Sequence, residues 1–238
     1  MRGVILLFYY WYDYTYILVI IGAIISAIAS WNVTSTYKKF SKFSNGKGLT
    51  AEDCAAVILH QAGIYDVRIE RVRGSLTDHY SPGEKVLRLS DSVYGSTSVA
   101  ALGVAAHECG HAIQHKEKYF PVHLRSAAVP IANIGSKLSW PVILIGLIMG
   151  WTGMAQVGVL LFTFVVLFQL ITLPVEFDAS HRALKILEQK KLLIGGELKG
   201  ATKVLKAAAL TYVAALFSSI LQLIRLILLT QGNNRRRR

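Results

Sequence analysis

Long apolar runs alternate with polar stretches along this chain. A run of about 20 such residues crosses a bilayer as a helix. The first such helix is predicted at Asp13–Trp31. An aromatic belt of Tyr9, Tyr10, Trp11, Tyr12, Tyr14 and Tyr16 marks its entry into the interface. A cleaved signal peptide is the alternative, but the basic start is thin and no small-x-small site stands out. Ile131–Gly150 and Ala155–Leu173 are predicted as the second and third membrane helices. The very short turn Trp151-Thr152-Gly153 makes them a hairpin. Lys137 can snorkel from the second to the near surface. Ala207–Leu229 is the fourth apolar run, interrupted by Gln222 and Arg225.

The polar stretches carry other periodicities. Thr36–Lys47 reads as a basic juxtamembrane linker. Thr50 is a helix cap with Glu52 and Asp53 in the first turn, and Gly63 closes that helix. Val67, Ile69 and Val72 alternate as a strand, Leu76–Tyr80 as a second, and Val86–Ser90 as a third. Ser81-Pro82-Gly83 is a turn between them. The expectation is a short antiparallel sheet. Val86, Leu87, Arg88, Leu89 and Ser90 are the candidate edge to which an extended substrate adds. Ser96-Thr97-Ser98 then caps a small-residue helix ending near His115.

Composition agrees with a membrane protein: 53% of the 238 residues are hydrophobic. The formal charge of +12 fits loops held on the cytoplasmic side near anionic lipid. Basic residues are scattered among acidic ones with no recognition motif, so nucleic acid is not an expected partner. The two cysteines, Cys54 and Cys109, read as free thiols of a reducing compartment. A small transporter would need several mid-membrane polar groups, and only Arg225 qualifies.

The chemistry sits in Val104–Ala112, where His107-Glu108-Cys109-Gly110-His111 forms a His-Glu-x-x-His motif. On a helix, i and i+4 share a face, so both imidazoles can grip one ion. Glu108 beside them can take a proton from water activated by zinc. Gly103 and Gly110 weaken the helix but permit close approach. His60 reads as a surface or packing histidine, His115 one turn past His111 as facing solvent rather than the metal, and His123 has no partner visible in the sequence. A catalytic zinc takes three protein ligands. The membrane hairpin returns Leu173–Ser180 to the side it left. There Pro174 is expected to open a new helix. Glu176 is the candidate third ligand and Asp178 the runner-up; the alternative is that both are acids balancing a helix start. Asp78 and His79 either line the cleft or close a turn. Arg182, Lys185, Lys190, Lys191, Lys199, Lys203 and Lys206 mark the following loop as cytoplasmic.

At His107–Ala112 and Leu173–Ala183 the chain resembles the YugP-type neutral zinc metallopeptidase family. Further runs carry the likeness: Leu76–Tyr80, Val129–Ser136 and Ala207–Ala215. The layout is more distantly similar to HtpX-like proteases and CAAX prenyl endopeptidases. The resemblance implies His107, His111 and Glu176 as ligands of one zinc ion and Glu108 as the base. In those relatives an Asp four residues after the ligand Glu supports a histidine. Here that position is Ser180, so Asp178 or Ser180 is left to support the histidines. His181, Arg182, Tyr212 and His79 are candidates for oxyanion stabilisation.

The expected fold is a mainly α membrane protein with about four transmembrane helices and a small α+β, gluzincin-like zinc metallopeptidase domain. Its expected segments are 1–31, a membrane helix; 32–125, a cytoplasmic metallopeptidase region; and 126–173, the hairpin. They continue with 174–206, a cytoplasmic helical region; 207–231, the fourth helix; and 232–238, a basic tail. Counting turns puts that tail outside, against its charge. The expected function is a multi-pass cell-membrane zinc endopeptidase with a cytoplasm-facing site. Extended or membrane-protein-derived peptides are its substrates, the bilayer is a partner, and a homo-oligomer is open. The alternative is a catalytically inactive zinc-containing scaffold or chaperone.

Overall fold

The structure is a computed structural model that describes residues 14–235, with side chains to Gln231. Asp13, the aromatics before it and residues 236–238 of the basic tail lie outside the described residues. Among the described residues nine elements follow in order: α1 (Tyr16–Phe40), α2 (Ala51–Gln61), β1 (Arg68–Val72), β2 (His79–Ser81), β3 (Val86–Ser90), α3 (Val99–Lys116), α4 (Phe120–Ile148), α5 (Thr152–Gln189) and α6 (Gly196–Arg235). Four of them, α1, α4, α5 and α6, are long and apolar enough to cross a membrane.

Each extends past its predicted bounds, α1 at its C-terminal end, α4 at its N-terminal end, and α5 and α6 at both. In α1 the helix continues through Lys38 and Lys39, so the start of the expected linker is helical; these two lysines sit at the helix's C-terminal end, where positive charge is favoured. Pro174 does not open a helix. It lies inside α5, which runs unbroken to Gln189. A proline removes one backbone donor and crowds the carbonyl four residues back, and α5 absorbs that single loss. Most of the basic segment expected as a loop is likewise helical, with Arg182 and Lys185 in α5 and Lys199, Lys203 and Lys206 in α6; Lys190 and Lys191 lie in the turn between them. The two helices are joined at Gly195, whose φ of +55° suits a residue without Cβ.

Contacts divide the chain into two compact units. One comprises the described residues up to Ile28, Ala128–Leu170, and those from Val213 on. In it α4 and α5 pack closely around the turn after Ile148. A Cβ on Gly146 would lie 2.5 Å from the Ala155 nitrogen, and one on Gly135 would lie 2.6 Å from the Leu161 carbonyl. Apolar side chains such as Ile20, Ile24, Leu144, Leu160 and Leu167 stand exposed, as lipid-facing positions do. Arg225 is buried with its guanidinium over the Tyr16 ring, 4.1 Å from the centroid.

The other unit holds Ala29–Ala127 and Ile171–Tyr212. Its core is built around α3, whose small residues Ala100, Ala101, Ala105 and Ala106 have no exposed surface. Cys54, Ile58 and Leu59 of α2, Leu87 and Leu89 of β3, Ala183 and Leu187 of α5, and Ala201, Val204 and Leu205 of α6 share that core. Local caps work as the sequence suggests. Thr50 accepts from the Asp53 N–H, and Ser98 accepts from the Ala101 N–H. Gly63 follows α2 at φ +67°.

The sheet differs from expectation. Its order is β1-β3-β2, with β1 parallel and β2 antiparallel to β3. The chain crosses from β1 to the far side and returns through the β2–β3 hairpin, so β3 fills the centre. Leu76 sits at φ +57°, and the second strand starts only at His79. Val86–Ser90 is therefore no edge: Val86–Arg88 pair with β1 on one side and β2 on the other, and Leu89 and Ser90 continue the β1 pairing. The free edge beside α3 belongs to β2.

Candidate metal centre

Helix α3 supplies the two imidazoles. His107 and His111, one turn apart, place their ring centroids 4.8 Å apart with planes at 81°. Helix α5 supplies the carboxylate. Glu176 Oε2 lies 3.3 Å from His107 Nε2 and 3.6 Å from His111 Nε2. These three residues form a cluster whose ligand atoms lie within 4.8 Å of one another. Because α5 is continuous, Glu176 is mid-helix, and a role as a helix-start acid falls away.

The spacing fits a small cation. Tetrahedral zinc with ligands at about 2.0–2.1 Å keeps them about 3.3 Å apart. Glu176 is 3% exposed, and its Oε2 has no hydrogen-bond partner among the described residues. A buried anionic oxygen is costly unless positive charge neutralises it, from the imidazoles facing it or from a cation shared with them. The other oxygen, Oε1, faces the guanidinium of Arg125 at 3.4 Å. Two imidazoles and a carboxylate are also a donor set that suits zinc.

What brings the helices this close is Gly110. A Cβ there would meet the Ala179 carbonyl oxygen at 2.6 Å. Gly103, on the same helix as Gly110, faces Ala201 of α6, whose Cβ would lie 3.3 Å from a Cβ added there. Both glycines thus mark close approaches.

Around the cluster, each histidine has a partner for its second nitrogen. His107 Nδ1 lies 3.1 Å from Ser180 Oγ, one turn beyond Glu176 on α5. His111 Nδ1 lies 3.0 Å from Gln114 Oε1. Asp178, the runner-up ligand, is not in the cluster. It accepts from Gln114 and from Arg182. Burial alone would lower the His111 pKa, but the Glu176 and Glu108 carboxylates and Gln114 hold it above the usual histidine value. Burial pushes the thiol of Cys109 well up and that of Cys54 to about 12, so both are inert and free.

A cavity of about 260 Å³ opens beside the histidines. His107, Glu108, Glu176, Ser180, Asp78 and Tyr212 line it, with Val104, Val204, Ala208 and Ala209 as an apolar wall. Glu108 is buried there, 8% exposed. Asp78 also accepts from the Ser90 N–H and hydroxyl, so it both lines the cleft and closes the β2–β3 end. The remaining candidates lie elsewhere. His79 is exposed and its ring engages the Thr77 carbonyl. His181 is exposed, and Arg182 is tied to Asp178 and Glu117. His60 packs on Tyr65, and His115 lies near Tyr80. Gln114 and Arg125 were not singled out from sequence. A glutamine three residues beyond His111, on the same helix face, was the available signal for Gln114.

Four helices apolar enough for a bilayer and a buried His-His-Glu cluster define a membrane protein with a candidate divalent-metal centre. The family model described as "Putative neutral zinc metallopeptidase" matches residues 15–231, and the chain belongs to that family. It is 44% identical over 201 residues to the "Putative membrane protease YugP" of Bacillus subtilis (strain 168), covering 84% of this chain and 89% of that one. No solved structure matches. The family implies zinc, and both descriptions support a protease at the family level.

Proposed function

We propose that this protein is a membrane zinc endopeptidase, with His107, His111 and Glu176 as the ligands of one catalytic ion. The observation that carries the reading is the convergence of His107, His111 and the unpartnered Glu176 oxygen beside Glu108. Bound zinc supplies Lewis acidity, which polarises a peptide carbonyl and makes water acidic near neutral pH. Glu108 takes the proton of the attacking water on its carboxylate and passes it to the departing amine. Arg125 neutralises the outer oxygen of Glu176 and keeps that side chain in place. Tyr212, whose side chain reaches the same cavity, is the candidate donor to the developing oxyanion.

The substrate is an extended peptide segment, of membrane-protein origin where the bilayer delivers it. The free edge of β2, which follows cavity-lining Asp78, is the strand to which such a segment can add. The basic residues of Lys38–Lys47 and Arg182–Lys206 support a multi-pass chain with this unit on the cytoplasmic side.

Purified protein carrying Glu108→Gln is expected to retain one zinc per chain and to lose cleavage of unfolded casein. A wild type that binds zinc but cleaves neither casein nor a denatured membrane protein would favour the inactive scaffold instead.

A further inference from the structure

Gln114 is the polar side chain of α3 that has no exposed surface at all. Its amide nitrogen faces two groups that can only accept, the Val175 carbonyl and the Asp178 carboxylate, each at 2.8 Å. The NH₂ must therefore point toward α5. That leaves Oε1, an acceptor without a proton, against His111 Nδ1. The hydrogen bond forms only if His111 carries its proton on Nδ1. In the neutral ring that binds a metal, Nε2 is then the lone-pair nitrogen, and Nε2 is the atom turned toward Glu176. His107 has no such constraint, because the Ser180 hydroxyl opposite its Nδ1 can donate or accept.

We infer that Gln114 is a positioning residue that sets His111 for metal binding and, through the same amide, anchors the turn of α5 carrying Glu176. Val175 directly precedes Glu176, so one side chain ties two ligands from two helices together. Asp178 serves this arrangement as the acceptor that fixes the amide's orientation. Arg182 in turn donates to Asp178 and to Glu117, just beyond the end of α3. The histidine support expected from a carboxylate is thus delivered through an intervening amide. This inference rests on the zinc reading above.

The test uses the full chain in detergent, with zinc affinity measured against a chromophoric chelator and the visible spectrum of the cobalt-substituted protein. Outer-shell partners of metal ligands are typically worth about 10–100-fold in affinity. Gln114→Met, similar in shape but unable to accept from His111 or donate to α5, should weaken zinc by that range and shift the cobalt spectrum. Gln114→Glu keeps an acceptor for His111 but sets its second oxygen against the Asp178 carboxylate, so it should weaken zinc as well. Adding Asp178→Asn to Gln114→Glu restores a donor between the two positions and should recover at least half of the loss on a logarithmic scale. A Gln114→Met protein within twofold of wild type, with an unchanged cobalt spectrum, overturns the inference. So does a double variant no tighter than Gln114→Glu alone, and that comparison decides the matter if Gln114→Met fails to fold. A wild type that takes up no zinc overturns the metal reading itself, whereas failure of the variants alone leaves that reading standing.

Discussion

Gly110→Ala places one methyl group where α3 meets α5. The added carbon would lie 2.6 Å from the Ala179 carbonyl oxygen and 3.1 Å from its carbonyl carbon and Cα. All three are backbone atoms, so no side-chain rotation relieves the clash. Ordinary contact begins near 3.4 Å, so the helices must part by about 0.8 Å. Glu176 and Ser180 flank Ala179 on α5 and would move with it. Metal sites hold their distances to within about 0.2 Å, so such a shift is several times what the cluster tolerates. Stability should respond less. Overpacking costs about 1–3 kcal/mol, and replacing a helical glycine by alanine returns up to about 1 kcal/mol. The expected protein folds, melts within a few degrees of wild type without metal, and binds zinc at least about tenfold more weakly. Gly103→Ala is the control: the same chemical change on the same helix meets a methyl group at 3.3 Å and backbone only at 3.6 Å. It should leave zinc affinity unchanged. Chelator competition and thermal melts of both variants measure this. Wild-type zinc affinity in Gly110→Ala refutes the claim that helix proximity at Ala179 builds the site.

Glu176→Gln removes the carboxylate that α5 contributes and leaves Arg125 without its anion. Zinc should weaken by more than the about 10–100-fold of an outer-shell loss, and equal retention in isothermal titration would exclude Glu176 as a ligand. Stripping zinc with a chelator should lower the melting temperature, since ion at a thousand times its Kd stabilises the folded state by about 4 kcal/mol; an unchanged melt argues against a specific site. The raised pKa of His111 sets a pH dependence of fixed sign. Without metal, its contribution to stability is present below the unfolded histidine pKa of about 6.5 and is lost as pH rises through the higher folded value. Zinc needs the neutral ring, so affinity should rise with pH across the same window, with proton release detectable in buffers of different ionisation enthalpy.

Sequence alone determined the local features. The four apolar runs, the caps at Thr50 and Ser98, the break after Gly63 and the His-Glu-x-x-His face all follow from periodicities and neighbour rules that act within a few residues. The three residues of the candidate metal cluster could be named because His107 and His111 lie one turn apart, and because Glu176 is an acid in the segment that the predicted hairpin returns. Helix ends were less legible, as at Pro174, because packing within a long helix outweighs one lost hydrogen bond. The strand order was not legible at all: a parallel β1–β3 pair beside an antiparallel β2 is chosen by how the sheet packs on α3, and Val86–Ser90 reads the same at an edge or in the centre. Likewise only the tertiary structure could show that Gln114 and Asp178, 64 residues apart, share a hydrogen bond. Partners in a buried polar network are selected by three-dimensional proximity after the helices have docked, and no spacing along the chain records that choice.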